Sequence, residues 1–181
     1  MDLYLTEPFG PFPTAIGNAY TTFTTRQDVS PLPLPVIPAG KLRPGSQLEF
    51  DARGEFSTTG TPTLAVGLYL GTQVPAITTV IAESSAITTG SGAAAWPWEM
   101  HWEGLVTAIG TSGSMTGHGY LKLGTSLTAY AADAPIPTTA GARVVAIDTT
   151  IARAIGVCAT WGTSSASNSI KVYKLSAGIR N

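Results

Sequence analysis

Apolar and polar residues alternate with a period of two along two neighbouring stretches of this chain. In the first, Leu48, Phe50 and Ala52 share one face, and Gln47, Glu49, Asp51 and Arg53 share the other. In the second, Leu64, Val66, Leu68 and Leu70 lie opposite Ala65, Gly67 and Tyr69. Successive strand residues point to opposite sides of a sheet, so each stretch predicts a β-strand with defined sidedness. A third stretch sets Trp96, Trp98, Met100 and Trp102 against Pro97, Glu99, His101 and Glu103. It predicts a half-buried strand with a heavy aromatic face, and Pro97 restricts its start to an edge or a bulge. The GTSG at 110–113 predicts a hairpin turn, followed by a return strand with His118 near its start. The segments 73–84, 142–150, 152–162 and 168–177 read as further strands. In 152–162, Ile155, Val157, Ala159 and Trp161 line one face. No segment offers ten or more residues at helical spacing. About eight strands at short intervals predict an all-β fold, a two-sheet antiparallel sandwich with jelly-roll topology.

Residues 1–37 break this pattern. Pro8, Pro11, Pro13, Pro31, Pro33 and Pro35 fall within them. Proline fixes φ and removes a backbone donor, which argues against a helix or a central strand. The segment is nevertheless rich in large apolar side chains, unlike a disordered linker. The division expected is therefore an extended, Pro-rich N-terminal arm over 1–37 and a β-sandwich domain over 38–181. The arm either lies on another molecule, with Tyr4, Phe9, Phe12 and Tyr20 as its anchors, or folds back over its own domain. The sandwich is expected to fold without it.

Composition narrows the partners. Only 12% of residues are charged, about half the usual share, and formal net charge is −1. Without a basic run there is no electrostatic footprint for nucleic acid. The N-terminus lacks a basic region followed by an apolar one, and no run approaches the ~20 apolar residues of a membrane span. The reading is a soluble protein made in the cytoplasm, with neither nucleic acid nor membrane as partner. Cys158 is the single cysteine and sits in a strand-like run, where a buried, unreactive thiol is expected.

Candidate chemistry is sparse. Glu99, His101 and Glu103 would align along one strand face about 7 Å apart. Zinc accepts such ligands, but no second histidine or cysteine stands nearby, so a solvated or inter-subunit polar face is the better reading and no metal or cofactor is expected. Glu49, Asp51 and Glu55 lie near one another with Arg53 among them, as on the solvent face of a strand. Neither a G-x-S-x-G elbow nor a phosphate-binding glycine loop is present. An enzyme is not expected. Trp96, Trp98, Trp102 and Trp161 could stack on sugars, but aromatic residues at alternate strand positions more often form a core or a subunit interface.

Four segments carry a family resemblance: IPAGKLRPGSQLEFDARGEFST (37–58), TLAVGLYLG (63–71), WEGLVTAIGTSGSMTGHGYL (102–121) and VVAIDTTIARAIGVCATWGTSSASNSIKVYKL (144–175). In order and spacing they resemble a jelly-roll domain of structural proteins from tailed bacteriophages. The Pro38-Ala39-Gly40-Lys41-Leu42-Arg43-Pro44-Gly45 opening and the Trp161–Ile170 loop and strand are similar to the two ends of that domain. The resemblance implies a virion structural protein that assembles as a homotrimer. Its implied partners are the major capsid protein or other virion proteins. Decoration of the capsid is the leading expectation. A minor tail protein, at the tail tip or binding a receptor, is the alternative, and a secreted carbohydrate-binding module ranks third.

Overall fold

A computed structural model describes residues 7–10, 16–72, 76–130 and 133–180. Among these residues the strands are β1 (Glu7–Pro8), β2 (Tyr20–Thr21), β3 (Gln27–Asp28), β4 (Val36–Ile37), β5 (Gln47–Ser57), β6 (Thr63–Thr72) and β7 (Ala76–Glu83), then β8 (Ile87–Thr88), β9 (Trp96–Ala108), β10 (Gly113–Leu123), β11 (Ala134–Ile136), β12 (Val144–Ile147), β13 (Arg153–Trp161) and β14 (Ser169–Arg180). One 3-10 turn, Ala140–Arg143, is the only helical element among the described residues. None of them forms a helix long and apolar enough to cross a membrane.

The strands form two antiparallel sheets. The first runs β1-β14-β5-β9-β10-β11, with β12 also on β10 and β2 also on β14. The second runs β3-β13-β6-β7, with β4 also on β13 and β8 also on β6. The all-β sandwich predicted from periodicity is present, and the eight strands of four or more residues fall in the segments that alternation marked.

The inner faces meet in one apolar core. Leu48, Phe50, Ala52 and Phe56 of β5 face it, as do Trp98, Met100, Trp102 and Val106 of β9. Leu64, Val66, Leu68 and Leu70 of β6 come from the other sheet, with Ile155, Val157, Ala159 and Trp161 of β13. Trp98, Trp102 and Trp161 are thus core residues, each 2% exposed or less. Trp96 is half-buried and meets Phe56 edge to face, with ring centroids 6.2 Å apart. The Trp102 indole is seated over two glycines opposite each other on β9 and β10, Gly104 and Gly117. A Cβ on Gly104 would stand 2.0 Å from its ring, and one on Gly117 2.3 Å.

Alternation alone left the outer face of β6 and β13 open, but most of both strands is buried on both sides. Tyr69 is fully buried, and its phenol donates to Asp28 Oδ1 at 2.8 Å. Burial, then the charge of Asp28, raise that phenol far above its ordinary range. Arg26, just before β3, forms a double hydrogen bond with Glu83 of β7, at 3.0 and 2.6 Å, from the opposite edge of the sheet. Cys158 lies in the row between, opposite both Asp28 and Gly67, and Gly67 is in turn opposite Glu83. Burial pushes its thiol up to about 12.

The described residues between 7 and 37, expected in an arm, run along the sandwich. β1 and β2 pair with β14, and β3 and β4 pair with β13. Phe9, Val29, Leu34 and Ile37 are core residues, and Tyr20 packs partly buried against them. Phe9, at 4% exposure, and Tyr20 are therefore placed against their own domain. Tyr4 and Phe12 lie outside the described residues. Two local expectations are corrected. His118 sits in the middle of β10, since pairing with β9 begins four residues earlier at Ser114. Pro97 lies in an interior strand, not an edge. It is tolerated because the β9–β10 ladder ends at Trp98–Leu123, after which its carbonyl accepts from the Gly124 N–H at 2.7 Å.

Candidate functional site

Charged side chains are few, yet many of them share one surface, the outer face of the first sheet. Strand register places them in rows. Ser176, Asp51, His101 and Tyr120 form one row across β14, β5, β9 and β10. Gly178, Glu49, Glu103 and His118 form the next, and Lys174, Arg53, Glu99 and Lys122 a third. Directly opposed residues on one face are close neighbours, so opposite charges in these rows attract.

His101 is the centre of this lattice. Its Nδ1 is 3.0 Å from Asp51 Oδ1 and its Nε2 is 3.3 Å from Glu103 Oε1. Its ring lies beside that of Tyr120, centroids 5.6 Å apart, and Lys122 Nζ stands 4.8 Å over the Tyr120 ring. Partial burial pulls the imidazole down, but the hydrogen bonds and charges of Asp51 and Glu103 outweigh it, and the net shift is upward. Around this centre Arg180 donates to Glu49 at 2.8 Å, and Lys122 lies 3.3 Å from Glu99 and 3.8 Å from Asp133. Lys171 is 3.8 Å from Glu55. Burial and a hydrogen bond to Glu55 push the nearby Tyr173 phenol up to about 12.

Beside the lattice is an open cleft of about 430 Å³. Gln47, Glu49, Glu103, Leu105, His118 and Arg180 line it, with Arg143 at its rim and Gly104 and Gly117 beneath. The side chain of His118 has no hydrogen-bond partner among the described residues.

The sequence placed Glu99, His101 and Glu103 together, and they do share a face. The structure exchanges Glu99 and Glu103 for two residues of the neighbouring strand: Glu49, Asp51 and His101 offer ligand atoms within 4.8 Å of one another. Those atoms already have partners, since Arg180 holds Glu49 and His101 holds Asp51. The group is therefore self-compensated in charge as it stands. The hydrogen-bond partners of His101 among the described residues are carboxylates, not a hydroxyl or thiol. Sugar stacking is closed to Trp98, Trp102 and Trp161, whose faces are inside the core.

The face is an ion-paired surface. Comparison with known protein families, with curated proteins and with solved structures finds no match.

Proposed function

We propose that this chain is a non-enzymatic structural protein of a tailed-phage virion, decorating the capsid as a homotrimer bound to the major capsid protein. One observation carries the reading: the four segments with the phage-domain resemblance coincide with most of the long strands of the sandwich, β5, β6, β9–β10 and β12–β14. The jelly-roll assignment belongs to the same proposal. Its support is the nested pairing of β5 with β14 and of β6 with β13, first long strand with last and second with second-last. Direct pairing of β9 with β5 is a departure from that scheme.

The ion-paired outer face suits a scaffold role. Most of its carboxylates stand within ion-pair distance of a cation, so the surface carries little net field. Of the proposed arm anchors, Phe9 is committed to its own core, so a grip on the shell would fall to the others, Tyr4 and Phe12 among them. Multivalent attachment by three copies would add weak contacts into a stable one.

The test mixes the labelled protein with separated shells and tails of the source phage and follows co-sedimentation, with light scattering for the oligomer. Saturable binding to shells as a trimer is expected. Binding to tails alone would shift the reading to a minor tail protein. Binding to neither, or a monomer at high concentration, would overturn it.

A further inference from the structure

Both ring nitrogens of His101 face carboxylate oxygens, Asp51 across the strand pair and Glu103 two residues along β9. A neutral imidazole has one N–H donor and one lone pair. In that state one of the two contacts would set a lone pair against a carboxylate oxygen. Only the imidazolium donates to both.

We propose that His101 is a proton-operated latch between β5 and β9: as an imidazolium it ties Asp51 to Glu103 across the outer face of the sheet, and loss of its proton releases one of the two ties.

Among the described residues the other cations of this face are engaged elsewhere or stand farther off, Arg143 at the rim of the cleft that Glu103 lines. On β5, Glu49 is engaged by Arg180 of β14, and Arg53 points its charge toward Glu99, 3.9 Å away. On β9 itself, Glu99 is held by Lys122 of β10 at 3.3 Å. The remaining β10 groups on this face are Tyr120, stacked beside the imidazole, and His118, opposite Glu103. Lys174 of β14 lies one row away, opposite Arg53. Deprotonation of His101 therefore leaves Asp51 and Glu103 as neighbouring anions, with Glu49 close by.

The direction of the pH effect follows. The folded-state proton affinity is raised above that of a free histidine, about 6.5. Such a group stabilises the fold fully below the unfolded value, and the contribution is lost as pH rises through the folded value. The face is thus tied below the unfolded value and loosened as pH rises through the folded one. This inference does not rest on the virion reading, and its test needs the isolated protein alone.

The experiment is an NMR titration of the histidine Cε1–Hε1 signals of the full chain from pH 5 to 9.5. His101 is assigned by the signal missing from His101→Gln. A midpoint above 6.5 is expected, moving down in Asp51→Asn and in Glu103→Gln. In urea unfolding across the same range, the wild type should lose stability relative to His101→Gln as pH rises through that midpoint. A His101 midpoint at or below 6.5, or parallel stability profiles of the two proteins, would overturn the latch. Should His101→Gln fail to fold, the two carboxylate variants assign the signal by their shifts, and the wild-type midpoint remains decisive.

Discussion

Replacing Gly104 by alanine tests the packing that holds β9 against the core. The new Cβ would lie 2.0 Å from the Trp102 indole, where ordinary contact begins at 3.4 Å. The ring must therefore retreat by more than an ångström. It cannot swing toward β10, because Gly117 lies directly opposite Gly104 and the indole already fills the space above both. Overpacking of this kind costs about 1–3 kcal/mol. Alanine recovers roughly 0.4–1 kcal/mol by restricting the unfolded chain. The net expectation is a loss of about 1–2 kcal/mol, or a melting temperature lower by roughly 2–8 °C for a chain of this size. Calorimetry on Gly104→Ala, Trp102→Phe and the double variant reads this as a double-mutant cycle. A smaller ring should relieve the clash, so the alanine should cost less in the Trp102→Phe background. A Gly104→Ala protein that melts with the wild type, or a cost unchanged by Trp102→Phe, would refute the argument.

Three further outcomes are expected. Cys158 should stay unreactive toward a thiol reagent at pH 8 until denaturant is added; modification of the folded protein would contradict its burial. Tyr69→Phe removes a buried phenol's bond to the Asp28 carboxylate and should cost about 1.5–3 kcal/mol in urea unfolding. Deleting residues 1–37 removes Phe9, Val29, Leu34 and Ile37 from the core. At about 1.5–3 kcal/mol each, this approaches the entire 5–15 kcal/mol of a typical domain. Residues 38–181 should accordingly show no cooperative melting transition, and a sharp one would show the segment to be dispensable.

That last expectation reverses the one drawn from sequence, and the reason is physical. Long strands announce themselves because five or more alternations fix their sidedness, as Leu48 to Phe56 and Trp98 to Val106 do. The two-residue strands Tyr20–Thr21, Gln27–Asp28 and Val36–Ile37 contain no period to read. They exist because the edges of β13 and β14 present unpaired backbone groups, which is a property of the assembled sheets. Small residues at Gly67, Gly156 and Cys158 hinted that the second sheet is covered outside, but nothing local named Asp28 as the partner of Tyr69. The candidate site divides in the same way. Glu99, His101 and Glu103 on one face were legible within a single strand. The contact of His101 with Asp51 depends on the register of β5 against β9, the same register that sets Phe50 opposite Trp102 and Phe56 opposite Trp96 on the inner face.

The pairing of β1 with β14, Glu7 opposite Ile179, also has a consequence for synthesis. Glu7 is thus completed by a strand that is made far later along the chain. Until β13 and β14 emerge, Phe9, Val29, Leu34 and Ile37 have no core to enter, and the segment that carries them waits in water with its apolar side chains exposed. Contacts so distant along the chain are slow to form. The interval before β14 is released is thus when this segment is most open to capture by a chaperone or by another unfinished copy.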